Sequence, residues 1–387
     1  MRILSRHVLR EFLVPVAYCF VGFASIYLLF DFFDKQPKIA AAHPPAKTLV
    51  LYFLGYLSPV LEWMLPASLL LGALYATWQL SRHSEIIAMK ASGVSFRSIA
   101  TPMLLASVVL GVLSALNNEF IAPKAVVFTR RLADNKFHPL PPYLYENLPY
   151  NNEAAGRVWR IGSFDVNHPE TIHDVTIDFF GEPGATPAAS LGTNIATRVK
   201  TASLVSTNAS YYDGCWWFHD AKLTFFNEKG EIDTTRPQPP VRPLESRPEF
   251  NEQPRDFALE ANMLNAGALK LENAFSLRDL RRYLEMRPNL APAVVADYRC
   301  DIWNRLASPW ACLVITLFAV PAGVASGRQS VFKGVLVAVG LFFGFYAATQ
   351  VCSYFGKRGT IPVPVSAWAP NVVFFLAGLH LFRKQSQ

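Results

Sequence analysis

The chain of 387 residues is 51% hydrophobic and only 17% charged, with 29 Phe and a formal net charge of +7, and its mean hydropathy is +0.21. That balance is too apolar for an ordinary soluble enzyme and points to a membrane protein. The five cysteines and eight histidines show no C-x-x-C, H-x-x-H or H-E-x-x-H spacing, and no G-x-x-x-x-G-K-[ST] loop occurs. A zinc site, a haem site and a nucleotide-binding loop are therefore not expected in this chain.

In chain order, the first apolar run covers residues 12–30 behind Arg2, Arg6 and Arg10, with no small-residue cleavage site after it. It reads as a retained span rather than a signal peptide. Further runs at 63–81, 98–118, 306–327, 334–356 and 359–382 make six, each near or above the ~20 residues needed to cross a bilayer. Arg82, Lys90 and Arg97, then Arg328 and Lys333, then Arg383 and Lys384 fall on the same side as the N-terminus. The excess of Lys and Arg in short loops assigns that side to the cytoplasm, against a smaller set (Lys35, Lys38, Lys47, Lys357, Arg358) opposite.

Between spans two and three, "HSEIIAMKASGVSFRS" is a complete small helix. Ser84 is placed to cap it, Glu85 suits the positive end of the helix dipole, and Gly93 is a natural stop. Ile86, Ile87 and Met89 alternate with Ala88, Ala91 and Ser92, so another surface could pack close. His83, Ser84 and Glu85 are triad residue types, but neighbours at a helix start diverge instead of converging on a substrate. Glu62, four residues before Pro66, reads either as an ionisable group facing a cavity or as the interfacial end of the second span.

Residues 123–275 change character. "TIHDVTIDFF" sets Val175, Ile177 and Phe179 against Thr176, Asp178 and Phe180, the period of a half-buried strand with the first three on the inner face. "RVWRIGSFDV", the long segment 196–232 and "RDFALEA" continue the strand pattern, with turns at Asp213-Gly214 and Lys229-Gly230. An all-β, jelly-roll-like sandwich follows, with the Pro-rich stretch 236–254 as a loop or irregular edge. Cys215 stands alone in this block, which is held by its core. From residue 276 the chain becomes helical and leads back into the membrane. The expected organisation is three spans and a loop helix at 84–93 within 1–122, a β domain at 123–275, and a connecting helix with three spans at 276–387.

With these parts assembled, the chain resembles the LptF/LptG permease family over essentially its whole length. The resemblance is carried by "LPASLLLGALYATWQLSRHSEIIAMKASGVS", "NEFIAPKA", "NRLASPWACLVITLFAVPAG" and "SAWAPNVVFFLAGLHLF", and "LLFDFFDKQPKI" looks more like the LptG type. It implies a non-catalytic inner-membrane subunit of an ABC transporter that extracts lipopolysaccharide, with the β domain in the periplasm. The loop helix would be the coupling helix, with Ser84, Glu85, Ile86, Met89, Ala91 and Gly93 meeting the cytoplasmic ATPase LptB. That partner hydrolyses the ATP, and no cofactor is implied in this chain. The further partners implied are a homologous permease subunit (LptF or LptG), a periplasmic jelly-roll protein (LptC or LptA) and lipopolysaccharide, with no nucleic acid. Lys35 and Lys38 match positions that contact lipid A phosphates, although Asp31 and Asp34 lie among them and a reading as interface anchors stays open. Val175, Ile177 and Phe179 would line an acyl path, with Glu62 as a further substrate contact. A mechanotransmitting ABC-type component, or a membrane-anchored scaffold that binds a protein through its β domain, is the alternative.

Overall fold

The computed structural model describes the backbone of residues 2–181, 199–227, 230–269, 274–287, 290–328 and 331–386, with side chains except at 2, 266–269, 325–328, 331–335 and 385–386. Helices α1 (Arg2–Ala42), α2 (Ala46–Leu57), α3 (Leu61–Arg82), α4 (Glu85–Ala91), α5 (Phe96–Leu116) and α6 (Ala122–Asp134) precede six strands. These are β1 (Leu144–Asn152), β2 (Arg157–Asp165), β3 (His168–Gly181), β4 (Val199–Tyr212), β5 (Cys215–Phe225) and β6 (Arg242–Arg247). Then come α7 (Pro254–Leu269), α8 (Leu277–Met286), α9 (Pro292–Arg328), α10 (Val331–Lys357) and α11 (Val363–Ser386). Two compact units result, one of residues 1–140, 273–280 and 290–387, the other of 141–272 and 281–289.

Among the described residues, the first unit holds six helical stretches long and apolar enough to cross a membrane: Ile3–Ala42, Ala46–Arg82, Phe96–Asp134, Pro292–Val324, Leu336–Lys357 and Val363–Lys384. Their number matches the sequence reading, and most run beyond the apolar windows. The last one starts later than residue 359, because Gly359 adopts φ +70° in the turn after α10. α9 is the central helix and packs on α3, α5, α10 and α11. Its close approach to α3 depends on Gly323, where a Cβ would overlap Thr77 Oγ1 and lie 2.9 Å from the Leu74 carbonyl. Phe12, Leu69, Ala73, Ile99, Met103, Ile315 and Phe318 fill the core around these helices.

The third span does not end at residue 118. It passes through a π-helical turn, Asn117–Ile121, into α6. Pro123 brings no N–H to the helical ladder, and the π turn falls just before it, where that bond is missing. One face of α6 is apolar, and Leu132 and Ala133 join Tyr52 of α2 and Phe137 in a small core of their own. Residues 122–134 therefore belong with the membrane helices, and the sheet unit starts at residue 141 rather than 123.

The described strands form one antiparallel sheet in chain order, β1 to β6. A line of irregular positions crosses it. Asn147, Asp174 and Asp220 have φ of 55°, 51° and 53°. The register sets Asn147 opposite Gly162, Gly162 opposite Asp174, and Asp174 opposite Thr207. A Cβ on Gly162 would lie 2.6 Å from the Asp174 Cβ, so this crossing point needs the bare backbone. A left-handed residue turns the pleat, and side chains beyond it exchange faces. The core residues show this: Ile161 and Phe164, Ile172 and Val175, Leu204 and Ala209, and Phe218 and Ala221 are all buried together although each pair is an odd number of residues apart.

"RDFALEA" is helix, not strand. Pro254 opens α7, and Asp256 Oδ2 accepts from the Gln253 N–H at 2.9 Å to close its first turn. Phe257 and Ala261, one helical turn apart, both enter the sheet's core. The period that matters there is four, not two. β6 is an edge strand within the Pro-rich stretch; Leu244 and Arg242 pair with His219 and Ala221 on either side of Pro243, the placement a residue without an N–H can occupy.

Candidate functional site

The loop helix α4 is present, but its faces are divided differently from the sequence expectation. Ser84 has φ 59° and its side chain makes no capping hydrogen bond; its carbonyl accepts from Ala88 at 2.9 Å. The sharp left-handed entry after α3 takes the place of a side-chain cap. Gly93, at φ +85°, ends the helix as expected, with its N–H on the Lys90 carbonyl and that of Val94 on the Met89 carbonyl, both at 3.0 Å.

Ile86 and Met89 do not face outward. They are buried in the same core as Leu80, Phe96 and Ile99, because positions three apart on a short helix share the face that the bundle covers. The face left open carries Ile87, Ala88, Ala91 and Ser92, with Gly93 at its end. Glu85 is half-exposed and accepts a hydrogen bond from His7 Nε2 at 3.0 Å. His7 was not picked out by sequence reasoning, because no local pattern links residue 7 to residue 85, and Ile87, named with Ile86 and Met89, was not separated from them by face.

At the other end of α1, Lys35 and Lys38 are not two equivalent free cations. Lys35 is paired with Asp34, and Lys38 is exposed. Asp31 is buried, beside Tyr52 and Tyr56. An approaching phosphate would find Lys38 open and Lys35 already compensated.

Glu62 is held in a set of polar contacts between helices. It lies inside the continuous stretch Ala46–Arg82, where its Oε2 accepts from Asn118 Nδ2 at 2.9 Å, with Ser308 and the charge of Arg305 also beside it. Asn117, in the π turn, donates to the Ser58 carbonyl and accepts from its hydroxyl, both at 2.8 Å. Arg305 donates to the Phe275 carbonyl, and Glu119 accepts from the Leu277 N–H at 2.8 Å. Spans two, three and four and the segment entering span four are thus joined by one polar network that includes Glu62.

Val175 and Ile177 face the core of the sheet unit, as the alternation predicted, and Phe179 packs at its margin. That face is not an open lane. Val175 is 1% exposed and Ile177 0% exposed, in one buried cluster with Trp159, Phe218 and Phe257. The segment that covers them is fastened by Glu252, whose carboxylate accepts from Arg157 Nε at 3.0 Å, Asn152 Nδ2 at 2.8 Å and Trp159 Nε1 at 3.2 Å. Two further pairs, Asp256–Arg282 at 2.6 Å and Glu260–Arg287, tie α7 to α8 and its C-terminal extension. Burial pushes the Glu260 carboxyl above the usual range in spite of Arg287.

Asp178 points away from the core as expected, yet it is 1% exposed. Burial works to raise its pKa, but hydrogen bonds from Lys200 and Ser203 at 2.7 Å, together with the Lys200 and Arg160 charges, outweigh burial and hold it below the usual carboxylate range.

Among the described residues no group of three or more His, Cys, Asp or Glu side chains is placed to hold a metal ion. Residues 6–384 match the family described as lipopolysaccharide export system permease LptF/LptG. The chain belongs to the LptF/LptG family. It is also similar, at 21% identity over 389 residues and 99% of each chain, to the lipopolysaccharide export system permease protein LptG of Escherichia coli K12, and equally to that of E. coli O6:H1. In this LptF/LptG protein the six spans and the inserted antiparallel sheet are the parts of a multi-pass membrane permease.

Proposed function

We propose that this chain is the LptG-type subunit of an ATP-driven lipopolysaccharide extractor. Its N-terminus, α4 and C-terminus lie in the cytoplasm, and the sheet unit lies in the periplasm. The observation that carries this reading is α4: a short helix anchored by Ile86 and Met89 in the core of the spans, with the small-residue face of Ala88 and Ala91 left open beside Ile87. A rigid, low-relief surface of that kind suits a groove on a cytoplasmic ATPase such as LptB, which supplies the ATP hydrolysis that this chain has no loop for. A homologous LptF-type subunit would complete the lipid cavity, with Lys38 at its outer rim. Because Val175 and Ile177 are covered by the chain's own aromatic residues, the sheet unit serves as the docking end for a periplasmic jelly-roll partner (LptC or LptA) rather than as the acyl path.

The test is to purify the complex through a tag on this chain, in mild detergent, and to identify co-purifying proteins and retained lipid by mass spectrometry. An ATPase together with a glucosamine-based, multiply acylated lipid is the expected result. An ATPase without such a lipid would favour a mechanotransmitting component, and neither would overturn the transporter reading.

A further inference from the structure

The membrane unit contains a cavity of about 700 Å³ between α1, α3 and α9, within the size range of small-molecule sites. Val14, Leu71 and Leu74 supply apolar walls, and Arg10, Glu11 and Gln79 bring polar groups to it. Tyr75 and Trp78 also line it, and the Arg82 guanidinium lies 5.3 Å from the centroid of the Trp78 ring. The cavity is far from the proposed lipopolysaccharide contacts. Lys35 follows Arg10 by 25 residues on the same helix, which at 1.5 Å per residue places it ~37 Å away, at the opposite face of a bilayer.

The chemistry of the lining selects an occupant. Arg10 and Glu11 immediately precede the first apolar run, so they lie at headgroup level in the leaflet on the N-terminal side, where Trp and Tyr are also favoured. A cation and an anion together at the mouth of an apolar cavity match a phosphate next to an ammonium, with an acyl chain running inward. A headgroup with a phosphate alone would meet Glu11 as a like charge. A quaternary ammonium would have no N–H for the Glu11 carboxylate to accept.

We propose that this cavity binds one glycerophospholipid of the ethanolamine type from that leaflet, with its phosphate on Arg10, its ammonium on Glu11 and an acyl chain against Val14, Leu71 and Leu74. The lipid would fill the gap between the first and second spans and so hold α1 on the bundle at the end where α4 is attached. This rests only on the chain spanning a membrane, and it stands or falls separately from the ATPase assignment.

The experiment reconstitutes the full complex in phosphatidylcholine vesicles containing a small share of one probe lipid with a photoreactive acyl chain. The probe carries an ethanolamine, a choline or a glycerol headgroup, and attachment sites are mapped by peptide mass spectrometry. The ethanolamine probe should attach to the peptides around Val14 and Leu71 in clear excess over the other two. Arg10→Gln should lower that attachment on the order of tenfold, and Glu11→Gln should remove the preference for ethanolamine over choline. Val14→Trp, at a half-exposed position where a larger side chain does not disturb the core, should block attachment while leaving membrane insertion intact. Equal attachment of all three probes, indifference to Arg10→Gln, or capture confined to other faces of the spans would each overturn the proposal and identify ordinary annular lipid or a partner helix in its place.

Discussion

Glu252→Ala is the substitution that most directly tests how the sheet unit is held shut. The carboxylate is 0% exposed and receives two bonds from Arg157, at 3.0 and 3.1 Å, together with those of Trp159 and Asn152. Removing it leaves Arg157, itself 9% exposed, with Asn251 Oδ1 at 2.8 Å and the Phe250 ring at 4.5 Å as its principal partners. Removing one partner of a buried ion pair costs about 3–5 kcal/mol, a large fraction of the ~5–15 kcal/mol that holds a domain together. Amide exchange on the full-length protein in detergent reads this directly, and opening of β2 and α7 should become easier by that amount. Replacing both members, Arg157→Met with Glu252→Met, removes the stranded charge as well and should cost much less than the single change. A loss below about 1 kcal/mol for Glu252→Ala, or a double variant as damaged as the sum of the singles, would refute the reasoning and mean that aromatic packing alone closes this face.

Three further outcomes follow from the same geometry. Glu85→Lys would put a cation beside His7 and reverse the charge at the head of α4, and should reduce recovery of the ATPase with the complex while insertion stays normal; unchanged recovery would remove α4 from the coupling role. A photo-crosslinking residue at Ile177 should capture no lipopolysaccharide during ATP turnover, and ATP-dependent capture there would show that α7 lifts and the sheet conducts acyl chains after all. Asp178→Ala should cost about 1.5–3 kcal/mol, the range for hydrogen bonds to a charged group, above the ordinary aspartate pKa of about 3.9. Because the folded-state pKa of Asp178 is depressed, its contribution is complete above that pH and disappears as pH falls through the folded value. The difference between wild type and variant should therefore shrink in acid, as followed by urea unfolding of the sheet's tryptophan signal, and a difference that is independent of pH would rule out the ionised carboxylate as its source.

The spans were legible in the sequence because a bilayer demands long uncharged runs, and their ends were less so because amphipathic continuations such as α6 look polar in a window average. The strand faces of Val175 and Ile177 could be read because both lie on one side of the irregular row. Extending the same alternation to Ile172 would have put a core residue on the wrong face, since Asp174 turns the pleat between them. "RDFALEA" is too short to separate period two from period four without knowing that Phe257 and Ala261 share a surface. The polar network around Glu62 draws on residues 58, 117, 118, 305 and 308, and the contact of His7 with Glu85 spans 78 positions. Neither leaves a local trace, because each is made by helices meeting rather than by any pattern along the chain.

The seating of α4 bears on how movement could pass through the molecule. A peg hung from slack tethers would swallow a small displacement before anything else stirred. Here the peg has Ile86 and Met89 sunk among residues of the spans, with Glu85 in contact with the start of α1. On the proposed coupling role, a push on the open face of α4 would bear on the packed spans through Ile86 and Met89 instead of being taken up in the loop.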